Sequence, residues 1–139
     1  KCRLVYTYAN GIRMTLGQGQ KDIPEGTMFI GTKGRVYVNR GKVVAEPMDL
    51  AKVSLEAPEM TQLYRSVDHT KDFLACIKSR ELPICDVEIG HRSATVCHLG
   101  NMVARLGRPV KWDPVTETCL GDAEAQAMTD REYRGPWKH

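Results

Sequence analysis

The feature that most constrains this chain is a change of hydrophobic period near residue 66. Before it, apolar side chains alternate in short runs separated by turn residues; after it, they recur every three or four positions. A period of two places side chains on opposite faces of a strand, whereas a period near 3.6 gathers them on one side of a helix. Strands first and helices afterwards imply an α+β fold, an open, mainly antiparallel β-sheet with helices packed on one face. The chain has 139 residues, enough for one domain with a sizeable core.

The strand half reads as hairpins. Leu4-Val5-Tyr6-Thr7-Tyr8 and Ile12-Arg13-Met14-Thr15-Leu16 flank Asn10-Gly11, a pair that suits a tight turn between strands. In the second run Ile12, Met14 and Leu16 share one face, Arg13 and Thr15 the other. Positions 17–26 form a polar loop. Its Gly17-Gln18-Gly19-Gln20 lacks the third glycine of a dinucleotide fingerprint, and a strand follows where that motif needs a helix. Thr27-Met28-Phe29-Ile30, Arg35-Val36-Tyr37-Val38-Asn39 and Lys42-Val43-Val44-Ala45 then make a three-stranded meander, and 50–55 offers one more edge segment. Tyr6, Tyr8, Met14, Phe29, Tyr37 and Val38 supply more apolar strand surface than two helices need, which favours association through the sheet.

In the helical half, Ser66 or Asp68 can cap a first helix carrying Phe73, Leu74 and Ile77, and Pro83 ends the segment. Asp86 opens a longer helix with a core face of Val96, Leu99, Val103 and Leu106. Gly100 and Ala104 lie one turn apart inside it. Glycine there costs about 1 kcal/mol relative to alanine, so a close approach to another element is expected. Gly107-Arg108-Pro109 is a stop signal. Val110-Lys111-Trp112 reads as a short strand, 123–128 as a short helix capped by Asp122, and Tyr133 and Trp137 as a tail docked on a surface.

Charge narrows the function. The 20 basic and 17 acidic residues leave a net charge of +3, and the basic ones are scattered, which argues against nucleic acid as a partner. No apolar run approaches the roughly 18 residues of a membrane helix. The five cysteines show no C-x-x-C spacing, so free thiols in a reducing compartment are expected and no metal site. With no targeting signal visible in the sequence, a cytoplasmic location is expected. Cys97-His98 with His91 comes nearest to a ligand set, but neighbours on a helix point about 100° apart.

An ordered series of segments carries a resemblance. The strand pair Ile30-Gly31-Thr32-Lys33-Gly34-Arg35-Val36-Tyr37-Val38-Asn39-Arg40-Gly41 is similar to one in the glucose–fructose oxidoreductase / inositol dehydrogenase (Gfo/Idh/MocA) family. So are the helix Asp72-Phe73-Leu74-Ala75-Cys76-Ile77-Lys78-Ser79-Arg80 and the segment running from Gly90-His91-Arg92 to Leu99-Gly100-Asn101. Arg105-Leu106-Gly107-Arg108 and Trp112-Asp113-Pro114 follow and look most like the branch abundant in planctomycete-type bacteria. The resemblance implies a carboxy-terminal α/β domain that shapes the substrate pocket and makes an oligomer interface with its sheet. It implies an amino-terminal Rossmann domain as partner, and hydride transfer between NAD or NADP and a hydroxyl or carbonyl carbon of a sugar or cyclitol. The family's glycine fingerprint, its Glu-Lys-Pro lysine and its Asp-x-x-x-His histidine have no counterpart here. The chain is therefore expected to be a fragment, residues 1–139 of one substrate and oligomerisation domain, with no catalytic or cofactor-binding residue of its own. His69, His91, His98 and His139 are not the family's acid/base histidine.

Four residues remain as candidate substrate contacts. Arg65 and His69 lie at the entry to the first helix, where exposed amides favour oxygen-rich ligands; the competing reading has Asp68 capping that helix and Arg65 solvated. His91 and Arg92 lie in the first turns of the long helix, where Arg92 either meets ligand or pairs with Glu88 four residues earlier. A pure interaction module, pairing its sheet with another protein, is the alternative of a different class.

Overall fold

A computed structural model of the chain describes residues 1–54 and 60–136. The fold is α+β with open antiparallel sheets, the class expected from the switch of period. Among the described residues the strands are divided among three hydrogen-bonded sets of two, three and two. Two compact units are present, Lys1–Gly17 with Asp86–His139, and Gln18–Cys85.

In the first unit, β1 (Cys2–Thr7) and β2 (Arg13–Gln18) pair as a hairpin. Tyr8 N–H donates to the Ile12 carbonyl at 2.9 Å and Gly11 N–H to that of Tyr8 at 2.9 Å, closing the Asn10-Gly11 turn. Along β1, Cys2, Leu4 and Tyr6 are half-buried while Arg3, Val5 and Thr7 are exposed, a period of two that sets one face against a helix.

That helix is α1's longer successor in the chain and belongs to this unit: α2 (Val87–Leu106), with α1 (His69–Ser79) in the other. Asp86 accepts from the Ile89 amide at its start, and Gly107, in the left-handed region at φ 67°, closes it with an N–H donated to Val103. A Cβ on Gly100 would overlap the Tyr6 hydroxyl and crowd Leu4, so the glycine lets β1 lie close on the helix, as its place in the sequence suggests. On an adjacent facet Met102 is buried with Cys119 and Ala125, and Leu99, Leu106, Val110 and Trp112 pack around them. Two different surfaces thus cover α2, and its buried arc is wider than the single Val96-Leu99-Val103-Leu106 stripe. β6 (Trp112–Asp113) pairs with β7 (Thr118–Cys119), and α3 (Ala123–Ala127) is capped by Asp122. The strand expected over Val110-Lys111-Trp112 is thus displaced toward the turn, where the β7 ladder satisfies its backbone. Tyr133 is exposed, and Trp137 lies outside the described residues.

In the second unit, β3 (Thr27–Gly31), β4 (Gly34–Asn39) and β5 (Lys42–Glu46) form the expected meander. The register places Phe29, Val36 and Ala45 in one lateral row, and Met28, Tyr37 and Val44 in a row on the other face. Ala45 is buried, whereas Met28 and Val44 are both 43% exposed. Gly34 has φ 141° and faces the Glu46 carbonyl, Pro47 and Leu50 so closely that a Cβ has no room. The edge segment expected over 50–55 is instead a 3-10 turn, Met48–Lys52, folded onto β5 and β4, with residue 55 outside the described residues. Proline at 47, which lacks an N–H, starts a turn more readily than it extends a ladder.

Asp68, not Ser66, caps α1, accepting from the Thr70 and Lys71 amides. The helix ends at Arg80, which takes the left-handed cap position at φ 66°. Its Phe73, Leu74 and Ile77 are about half exposed, and Cys76 is the buried residue of the helix. Side-chain bonds tether the flanking segments: Asp72 accepts from the Tyr64 hydroxyl at 2.6 Å and from the Ile84 amide at 2.9 Å.

Candidate functional site

Charged and polar side chains converge where the start of α2 meets the β6–β7 turn. The turn is shaped by Asp113, whose carboxylate accepts from the Val115 amide at 2.8 Å and the Thr116 hydroxyl at 2.9 Å. These bonds, that of the Val115 amide foremost, hold the Asp113 carboxyl below its ordinary range. They carry the chain to Glu117, a non-glycine residue at φ 54°.

His91 Nε2 lies 2.6 Å from Glu117 Oε1. Arg92 donates from Nε to Glu88 at 2.7 Å, and from Nη1 to the Pro114 carbonyl at 2.7 Å and to Glu117 at 3.2 Å. The hydrogen bond from His91 holds the Glu117 carboxyl below its ordinary range, with the Arg92 charge adding to it and desolvation opposing. The side chains of His91, Arg92 and Glu117 are 46%, 45% and 42% exposed. They are held by one another yet open to a ligand from solvent.

Of the four residues singled out in the sequence, His91 and Arg92 are thus brought together. Arg92 pairs with Glu88 as the four-residue spacing suggests, and it also reaches Pro114 and Glu117. Arg65 and His69 lie in the other compact unit, both exposed, Arg65 in the loop before α1 and His69 as its first residue. Among the described residues neither side chain makes a hydrogen bond or ion pair. Beside them, the bond from Tyr64 to Asp72 pushes the phenol up to about 12, and it also holds the Asp72 carboxyl down. Glu117 and the Tyr64–Asp72 pair were not singled out in the sequence. The only local sign of Glu117 is its place in the turn after Trp112-Asp113-Pro114.

The resemblance implies a nicotinamide dinucleotide, and the described residues do not fit one. A dinucleotide pyrophosphate is bound by free amides at a helix start after a glycine-rich turn. Here an aspartate stands at the start of each helix and takes part of its first-turn amides: Asp68 those of Thr70 and Lys71, Asp86 that of Ile89 and Asp122 that of Ala125. Gly17-Gln18-Gly19 leads through a loop into β3 and not into a helix. Among the described residues no group of three or more His, Cys, Asp or Glu side chains has metal-binding geometry, and no helix is long and apolar enough to cross a membrane.

Comparison with known proteins adds one match. A family model described as "Oxidoreductase family, C-terminal alpha/beta domain", of the Gfo/Idh/MocA type, matches residues 1–139. No curated protein and no solved structure matches the chain. With a family match over its whole length and an α+β fold of open antiparallel sheets, the chain belongs to the Gfo/Idh/MocA oxidoreductase family, as a C-terminal α/β domain.

Proposed function

We propose that this chain, from the planctomycete-type branch of the family, is the substrate-binding and oligomerisation part of an NAD(P)-dependent oxidoreductase. The substrate is a sugar- or cyclitol-like compound, oxidised or reduced at a hydroxyl or carbonyl carbon. An amino-terminal Rossmann domain holds most of the cofactor and supplies the acid/base groups, and the enzyme works in the cytoplasm. The observation that carries this reading is the convergence of His91 and Arg92 on Glu117, a half-exposed cluster of donors and acceptors. A polyol offers hydroxyls that both donate and accept, so it needs that mixture and not a patch of one charge. Arg65 and His69 are further substrate contacts in the full-length enzyme, as a planar donor fork and a ring able to donate or accept.

The test is kinetic and uses the full-length protein. Alanine at Arg65, His69, His91 or Arg92 should each lower kcat/KM on the true substrate roughly tenfold or more, with cofactor affinity nearly unchanged. Wild-type kinetics in all four variants would remove the substrate role. Calorimetric titration of residues 1–139 alone with NAD and NADP should show no sub-micromolar binding; tight binding would place the cofactor site in this chain.

A second reading is favoured by the outer row of the meander. Met28 and Val44 flank Tyr37 in register, and Ile30 beside them is 82% exposed. An apolar row of this kind suits contact with another protein surface. A full-length protein without oxidoreductase activity that captures a partner through this face would favour a non-catalytic interaction module.

A further inference from the structure

We propose that Glu117 is the positioning residue of the His91–Arg92 site, and that it sets those two side chains to receive a vicinal diol. The inference rests on the proposed polyol-binding function and names the device that would give it its chemistry.

The argument begins with proton bookkeeping. An ionised carboxylate can only accept, so the 2.6 Å contact requires the proton on His91 Nε2. In neutral imidazole this leaves Nδ1 as an acceptor, so Glu117 selects the tautomer. Arg92 is fixed in the same way. Its Nε is taken by Glu88, and its Nη1 by Pro114 and Glu117. Among the described residues Nη2 has no partner, so its two N–H groups are left for a ligand. One hydroxyl of a diol can donate to Nδ1 while its neighbour accepts from Nη2. A lone hydroxyl satisfies half of the pair, and a carboxylate or phosphate would meet an acceptor at Nδ1 and the charge of Glu117.

The backbone supplies an independent observation. Glu117 sits at φ 54°, a region that glycine or asparagine enters more readily than glutamate. The turn itself is already shaped by the Asp113 bonds to Val115 and Thr116. A glutamate in that conformation is explained by what its side chain holds, since strained positions concentrate at sites that use them.

The experiment separates this role from a clip that merely joins turn to helix. The full-length protein is titrated with myo-inositol and with D-glucose as probes, and its melting temperature is followed in parallel. Arg92→Ala and His91→Ala should weaken binding of the bound probe. Glu117→Gln, which keeps the shape but frees the tautomer, should raise Kd and KM about tenfold, with kcat within about twofold and melting within about 2 °C. Glu117→Gly relieves the backbone and should show the same loss of affinity with melting unchanged or higher. Wild-type affinity in both Glu117 variants, beside loss in Arg92→Ala, would overturn the positioning role and leave the site standing. A fall in melting that tracks affinity in both variants would make Glu117 a structural clip and overturn it as well. If neither probe binds the wild-type protein, or if Arg92→Ala and His91→Ala bind as wild type, the proposed function itself fails.

Discussion

The Tyr6 hydroxyl donates to the Val96 carbonyl at 3.1 Å and occupies the space where a side chain on Gly100 would begin. A strand and a helix some 90 residues apart in sequence are thereby held face to face. Desolvation in this contact, first among its causes, pushes the Tyr6 phenol above its ordinary value.

Gly100→Ala should therefore destabilise the protein although alanine is the better helix former. The propensity gain is about 1 kcal/mol, and displacing a packed ring costs roughly 1–3 kcal/mol. A net loss of about 1 kcal/mol, a fall in Tm of roughly 3–6 °C, is expected. Tyr6→Phe removes the overlapping oxygen, so Gly100→Ala should cost less in that background. Thermal melting of the four proteins of the double-mutant cycle would show the coupling; strict additivity would mean that the contact is not formed.

The Tyr64–Asp72 bond predicts a window of pH. Asp72 is held below its ordinary value near 3.8, so its contribution is present above that pH and is lost as pH falls through the depressed value. Tyr64 is raised from 10.0 to about 12, so its contribution is present below pH 10 and is lost as pH rises through about 12. Ultraviolet titration should show one phenol ionising near 12, absent in Tyr64→Phe and returned toward 10 in Asp72→Asn. An unchanged titration in Asp72→Asn would count against the bond.

Asp122 does two things at once. It caps α3 by accepting from the Ala125 amide at 3.0 Å, and it receives both terminal nitrogens of Arg108. Asparagine can replace the cap but not the charge. Asp122→Ala should lower Tm by roughly 4 °C or more, and Asp122→Asn by less than half of that. Equal losses would assign the whole effect to the ion pair.

Self-association is expected through the Met28-Tyr37-Val44 row. Burying a side chain of that kind contributes roughly 1.5–3 kcal/mol, so Met28→Lys or Val44→Lys should weaken an isologous sheet-face dimer tenfold or more. Sedimentation of the full-length protein at micromolar concentration would show a shift toward monomer. The same distribution in wild type and both variants would place the interface elsewhere.

Much of the fold was legible because its signals are local. Asp68, Asp86 and Asp122 bind amides two or three residues ahead, and Asn10-Gly11 and Gly107 set the conformations of their own positions. The Arg92–Glu88 pair is one helical turn long. The small residue at 100 announced a close approach without saying which element makes it. The reading of 50–55 as a strand failed because an apolar run of that length is compatible with either a strand or a turn, and Pro47 and the packing of Leu50 beside Gly34 decide between them.

By itself, then, the sequence determined most of the element types, the Asp86 and Asp122 caps, the Gly107 stop, the α+β class and the family. Only the tertiary structure decided which partners meet. Glu117 lies 26 residues from His91, and Tyr64 and Ile84 reach Asp72 from opposite ends of α1. Met102 became core because β6, β7 and α3 return to cover a second facet of α2. No local period encodes such meetings. They depend on where the chain comes back, and that is set by the packing of whole elements and the satisfaction of their backbone groups.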